Sequence, residues 1–218
     1  MTAKPTIQLV DFGVSNIAPI FRTLEASGVN PIVVSTESDF LSQAQGMVLP
    51  GVGSFDQGIT QLMNLGLDKR ILDFVNSGRL FIGVCLGFQL LAKRSSEGKQ
   101  QGLGIIPMDV VEISMLNQTK RRVHNGWFEE VPFSNYKTEQ DDESSKKQQF
   151  YFTHSYGISA LNLSLAYPKA TIRIVRGTNI VSSMSCGNIF ASQFHPERSH
   201  FGGITYFRAI WKEKFLCD

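Results

Sequence analysis

Over the first hundred residues the apolar positions follow two alternating rhythms. Short, nearly unbroken apolar runs at residues 7–12 (IQLVDF), 31–34 (PIVV), 46–50 (GMVLP) and 80–84 (LFIGV) have the length and branched content of buried strands. Between them the spacing turns helical. Residues 18–27 carry Ile20, Phe21 and Leu24 on one face before a stop signal at Gly28, and a short helical turn begins at Leu41. Residues 59–76 repeat the pattern with Leu62, Met63, Leu67, Ile71, Leu72 and Val75, as one helix or as two broken near Gly66. This strand–helix order predicts a mostly parallel α/β sheet with helices on both faces.

Beyond Gly102 the rhythm shortens. DVVEISML, FYFTHSYGIS, ATIRIVRG, IVSSMSC and NIFASQF read as the rest of the central sheet plus an antiparallel extension, and a final helix is expected over residues 203–215. No repeat or linker divides the chain, so residues 1–218 are expected to form a single domain. Its 218 residues with 42% hydrophobic content suffice for one well-buried core. Residues 137–149 (KTEQDDESSKKQQ) are too polar to join that core and read as an exposed loop.

Charge and cysteine usage narrow the function classes. A net charge of +2, with basic residues scattered, offers no stripe for nucleic acid or a membrane surface. No apolar run reaches the ~20 residues of a membrane span. MTAKPTIQLV lacks the apolar core of a signal peptide, so a cytoplasmic location is the expectation. Cys85, Cys186 and Cys217 are odd in number and lack CxxC spacing, which suggests neither a disulfide framework nor a zinc site.

Cys85 is the candidate free thiol with chemistry. Gly83-Val84-Cys85-Leu86-Gly87 is G-x-C-x-G at a strand-to-helix junction, the thiol counterpart of a nucleophile elbow, with glycines permitting the sharp turn. The helix over residues 88–93 would point its partly positive N-terminus at the sulfur and favour the thiolate. For this motif alone, a small buried cysteine beside packing glycines competes on even terms. A reactive thiolate needs a histidine oriented by a carboxylate. Of His124, His154, His195 and His200, the one in Phe194-His195-Pro196-Glu197 fits: proline holds the chain extended, so Glu197 shares a face with His195 and can reach one ring nitrogen. The loop Pro50-Gly51-Val52-Gly53 follows the third strand, beside Cys85 in a doubly wound sheet, where its backbone with the N–H of Leu86 could receive an oxyanion.

GVCLGFQLL, PGVGSF and QFHPERS, in this order and spacing, resemble the triad class, class I, of glutamine amidotransferases. PGVG, SSEG followed by GLGIIP, HNGW and YFTHSY more finely resemble the glutaminase subunit of imidazole glycerol phosphate synthase, the HisH family. The resemblance runs from IQLVDFGVSN to the last helix and leaves residues 137–149 unexplained. It implies a flavodoxin-like doubly wound, mostly parallel sheet with an antiparallel extension. It also implies that Cys85 attacks the glutamine side-chain amide, that His195 moves the proton and that Glu197 holds the imidazole. Gly51, Val52 and Leu86 would form the oxyanion site, and Gln89, Ser155 and Tyr156 would contact glutamine. No metal or organic cofactor is implied. The implied partner is a (β/α)₈-barrel cyclase subunit in a heterodimer, which receives ammonia and is met through Asn16, Asn125, Trp127 and Arg198.

Two segments depart from the family pattern. The usual H-M-G-W-N reads His124-Asn125-Gly126-Trp127-Phe128, and the usual D-Y-G-x-G-N reads Asp11-Phe12-Gly13-Val14-Ser15-Asn16. A polar residue in place of Met beside the expected ammonia exit keeps a second reading open, in which a paralogous subunit supplies a barrel partner in bacterial surface-sugar biosynthesis. A stand-alone cysteine hydrolase is the remaining enzyme class, and a binding module would usually have lost Cys85, His195 or Glu197.

Overall fold

A computed structural model describes residues 3–116, 123–133 and 148–215, so Cys217 and most of the polar segment 137–149 lie outside the described residues. The apolar runs of the first half are strands β1 (Thr6–Val10), β2 (Asn30–Val34), β3 (Gly46–Leu49) and β4 (Leu80–Val84). Every residue of β3 and β4 is buried, as a parallel strand covered on both faces requires. Between them lie α1 (Ile17–Ser27), α2 (Phe55–Asn64) and α3 (Leu67–Asn76). Gly66, at a left-handed φ of 67°, separates α2 from α3, so the long helical pattern is two helices.

Cys85 leads from β4 into α4 (Leu86–Gln89), followed by β5 (Arg94–Ser95), β6 (Asp109–Glu112) and α5 (Ile113–Leu116). The second half continues with β7 (His124–Pro132), β8 (Gln148–His154), β9 (Tyr156–Gly157) and α6 (Ala160–Ala166). It ends with β10 (Thr171–Val175), β11 (Val181–Cys186), β12 (Ile189–Ser192) and α7 (His200–Phe215).

Several boundaries differ from the sequence reading. The short turn lies at Glu37–Asp39, before Leu41, because Thr36 and Asp39 form a capping box there. Helix α2 starts at Phe55, whose N–H is received by the Glu97 carboxylate from a distant loop. Helix α7 starts at His200. DVVEISML is a strand and then a helical turn, and α6 and the strand through HNGW went unforeseen.

The main sheet runs β2-β1-β3-β4-β12-β11-β10-β7-β8. Its first five strands are parallel and the rest antiparallel, which is the expected doubly wound sheet with an extension. A small second sheet, β5-β6-β9, flanks it. Adjacent strand residues feed opposite faces. Val10, Met47, Leu49 and Phe81 pack with Ile59, Leu62 and Ile71, while Leu9, Val48, Ile82 and Val84 pack with Ile20, Leu24, Phe207 and Trp211. Among the described residues, no helix is long and apolar enough to cross a membrane.

The carboxyl ends of β3, β4 and β12 open on one edge, and there α4 packs hard against β3. A Cβ on Gly87 would lie 1.9 Å from the Leu49 carbonyl oxygen, a backbone atom that cannot step aside. Gly87→Ala is therefore expected to lower stability in urea unfolding by roughly 3 kcal/mol or more. A loss under about 0.5 kcal/mol would show that the two elements can separate cheaply.

Candidate active site

Cys85 is 6% exposed and has φ 52° and ψ −109°, a conformation that non-glycine residues rarely hold. The left-handed turn of the elbow therefore falls on the cysteine itself. The flanking glycines serve close approach: a Cβ on Gly83 would lie 2.9 Å from Phe88 Cα, and one on Gly87 would strike β3. Helix α4 is a single turn, shorter and earlier than the sequence pattern suggests, so its dipole at the sulfur is weak.

His195 follows β12, and its Nδ1 lies 2.7 Å from Glu197 Oε1. The pair does not rely on an extended chain. His195 is extended at φ −99° and ψ 98°, but Pro196–Arg198 forms a short 3₁₀ turn that folds Glu197 back onto the ring. The backbone is pinned from both sides: His195 N–H donates to the Tyr151 carbonyl at 2.9 Å, and Ser199 Oγ donates to the His195 carbonyl at 2.6 Å. Nε2 is buried on the other side of the ring, toward the Cys85 sulfur. Burial pulls the imidazole pKa down, but the charge of the nearby Cys85 sulfur and the Glu197 carboxylate push it further up, to about 10.

Cys85 and His195 line one cavity of about 300 Å³ with Val52, Gly53, Gln89 and Glu97 and with the segment Thr153–Tyr156. That volume sits at the small end of ligand sites, roughly 300–1,000 Å³. A shallower depression of about 770 Å³ between Lys93, Met108 and Leu165 lacks such groups. Gln89, expected to contact a ligand, is 5% exposed, and its Nε2 donates to the Tyr156 carbonyl at 2.9 Å and to Gln193 Oε1 at 3.1 Å. Ser155 forms the kink between β8 and β9, and its carbonyl accepts the Ile113 N–H at 2.9 Å.

His154 was not singled out from sequence, yet it lines the same cavity. Its Nδ1 bonds the Tyr156 carbonyl at 2.8 Å. A carbonyl only accepts, so Nδ1 carries the proton and the buried, unpartnered Nε2 is an acceptor. Burial pulls this imidazole down to about 3, outweighing the carbonyl. Glu97 was also missed; besides capping α2, it lines the cavity.

The expected oxyanion amides are occupied in this structure. Val52 N–H donates to the Val14 carbonyl at 2.9 Å, and Leu86 N–H donates to the Gly51 carbonyl at 3.3 Å. The reason is the orientation of one peptide unit, Gly51–Val52. Of the four residues expected at an interface, three form one exposed surface. Arg198 lies 4.2 Å over the Tyr151 ring, Tyr151 Oη donates to Asn125 Oδ1 at 3.1 Å, and Trp127 meets Tyr151 edge-on and stacks on His200. Asn16 is exposed at the start of α1, on the carboxyl-end edge of the sheet. Among the described residues no group of three or more His, Cys, Asp or Glu side chains could hold a metal ion.

Residues 8–207 match the family model described as Glutamine amidotransferase class-I. The chain is similar to the imidazole glycerol phosphate synthase subunit HisH of Gloeobacter violaceus, at 34% identity over 204 residues covering 94% of this chain and 88% of that one. The same-named subunit of Aquifex aeolicus is 35% identical over 198 residues, covering 90% and 91%. Among solved structures, one titled as a glutamine amidotransferase superposes with a TM-score of 0.69 at 16% identity, covering 94% of this chain and 97% of that one. PurLQS from Thermotoga maritima gives 0.65 at 18%, covering 95% and 99%. These two likenesses speak to the fold.

Because the folded His195 titrates above its ordinary 6.5, the protonated ring stabilises the fold. That contribution is complete below about pH 6.5 and is lost as pH rises through about 10. The stability difference between wild type and His195→Gln in urea titrations is expected to narrow across this window, and a difference independent of pH would refute a charged ring in the folded protein.

Proposed function

We propose, from the premise that this chain belongs to the class I glutamine amidotransferases and within them to the HisH subunits of imidazole glycerol phosphate synthase, that Cys85, His195 and Glu197 are its catalytic triad. The chain is the glutaminase subunit: it hydrolyses glutamine to glutamate and ammonia, and the ammonia serves imidazole glycerol phosphate formation in histidine biosynthesis. The observation that carries the triad is the His195–Glu197 pair at 2.7 Å, facing the same cavity as a thiol held on a strained turn.

The chemistry follows from the charge states. The Cys85 thiolate attacks the side-chain carboxamide carbon, forming the C–S bond as the carbonyl pair moves onto oxygen. The His195 imidazolium protonates the nitrogen as the C–N bond breaks, so ammonia leaves and a thioester remains. The neutral ring, held by Glu197, then takes a proton from the water that attacks the thioester; glutamate departs and the thiolate–imidazolium pair returns. No step calls for a metal or organic cofactor. Gln89 uses both Nε2 hydrogens within the protein, so Oε1 is what it offers the substrate, with Ser155 and Tyr156 bordering the amino-acid end.

Val52 and Leu86 act as oxyanion donors only after the Gly51–Val52 peptide turns over. Gly51 C=O and Val52 N–H belong to the same plane, so one turn frees Leu86 N–H and brings Val52 N–H to its side. The partner is the cyclase subunit of the heterodimer, read as a (β/α)₈ barrel that docks on the Asn125–Trp127–Arg198 surface and the Asn16 edge, in the cytoplasm.

Glutaminase turnover is expected to rise roughly 100-fold, high in the range for site-to-site coupling, when a histidine-pathway cyclase and its ribonucleotide substrate are added. No rise, with the thiol still reactive toward a glutamine-like alkylating analogue, would direct the ammonia to a surface-sugar partner instead. In the stimulated complex, Cys85→Ala is expected to abolish glutamine-dependent synthesis and to spare synthesis from ammonium salts. Survival of glutamine use in that variant would remove Cys85 from the nucleophile's role.

A further inference from the structure

Two carboxamide side chains lie wholly inside the protein beside the thiol, where an amide without partners is strongly disfavoured. Gln193 is 0% exposed and Gln89 is 5% exposed. Gln193 comes directly after β12 and two residues before His195, and its backbone N–H is anchored on the Ser182 carbonyl at 2.7 Å.

Their hydrogen bonds run in one direction only. The Tyr156 carbonyl can only accept, so Gln89 turns its NH₂ toward it, at 2.9 Å. The second hydrogen of that NH₂ goes to Gln193 Oε1 at 3.1 Å. Gln193 must then turn its own NH₂ the other way, and there it meets the Cys85 sulfur at 3.7 Å. A main-chain carbonyl thus sets the polarity of a chain that ends as an N–H donor on sulfur.

We propose that Gln193 is a positioning residue for the nucleophile, donating its amide N–H to the Cys85 sulfur at the end of a carboxamide chain that starts on the Tyr156 carbonyl. This deepens the reading of Cys85 as nucleophile and rests on it. A donor on sulfur favours the anion over the thiol and holds it in one direction. The single turn of α4 provides little field, which leaves this donor and His195 as the polar groups beside the sulfur. The chain also joins the sulfur to Gln89 and Tyr156, two residues assigned to glutamine, so substrate contact is felt at the nucleophile through two hydrogen bonds from Gln89 and three from the Tyr156 carbonyl.

The test is the pH dependence of Cys85 alkylation by iodoacetamide, followed at the Cys85 peptide by mass spectrometry so that Cys186 and Cys217 do not contribute. Gln193→Met keeps the length and removes the donor. It is expected to move half-maximal reactivity up by about one pH unit, about tenfold less reactive sulfur at a given lower pH. Gln193→Glu, which sets a second negative charge beside the sulfur, should move it further, and Gln89→Met, which frees Gln193 to rotate, should move it less. Profiles of Gln193→Met and Gln193→Glu that superimpose on the wild-type curve would overturn the proposal, and if one variant fails to fold the other decides. Iodoacetamide is not a substrate, so the result stands apart from the nucleophile assignment, which falls separately if Cys85→Ala still hydrolyses glutamine.

Discussion

The site depends on one strained residue. Cys85 holds a left-handed backbone, a conformation that its side chain disfavours by about 1–3 kcal/mol. Its surroundings leave it no alternative. Its N–H is locked to the Ser192 carbonyl of β12 at 2.7 Å, and its carbonyl receives the N–H groups of Phe88 and Gln89. The first of these bonds matters most, because Gln193 follows Ser192 directly and His195 comes two residues later. Val84 pairs with Ser192 in the parallel β4–β12 ladder, so one register delivers the thiol, its amide donor and its imidazole together. A shift of that register by one residue would send Cys85 and His195 to opposite faces.

Within the cavity, two imidazoles suffer the same burial and end in opposite states. His154 faces a carbonyl, which cannot offset its desolvation, and stays neutral. His195 faces a carboxylate on one side and the sulfur's charge on the other, and is held protonated through neutral pH. The partners decide the direction, and the charges of His124 and of His195 itself help to hold His154 neutral. A protonated His195 is what the proposed mechanism requires when the nitrogen departs.

The parts legible in the sequence were those whose environment writes a pattern. Strands β1, β3 and β4 are parallel and covered on both faces, so their apolar runs are continuous and predict the sheet, while the edge strand β2 is apolar despite leaving Val33 exposed. The Cys85, His195 and Glu197 positions carry recognisable spacing. Helix α6 did not show itself because Leu161 and Leu165 point to solvent, which scrambles its apolar face. Leu90 to Ala92 extended the helical pattern after Cys85 although the helix ends at Gln89; those residues are apolar because they are buried. Gln193 and His154 were illegible for a different reason. A buried polar residue follows no periodicity: Gln193 meets Gln89 from across the chain, and His154, although only two residues from Tyr156, bonds a main-chain carbonyl that no residue type announces. The glycines of G-x-C-x-G were attributed to turn freedom, while contacts with Phe88 and Leu49 give them their actual role.

The structure assembles the charges of the site and engages elsewhere the two amides proposed as oxyanion donors. Turning the Gly51–Val52 peptide gives up two backbone hydrogen bonds, each worth about 1 kcal/mol net, so the competent loop would be a minor population at roughly one part in thirty. Gly53, at φ 109°, and the absence of a side chain on Gly51 keep such a turn within reach. One of the two bonds ends on Val14, in the short segment that leads to Asn16 on the exposed edge. A partner pressing on that segment need only weaken the Val14–Val52 bond to raise the competent fraction several-fold. The position of that bond is therefore a physical route by which the proposed partner could raise glutaminase activity.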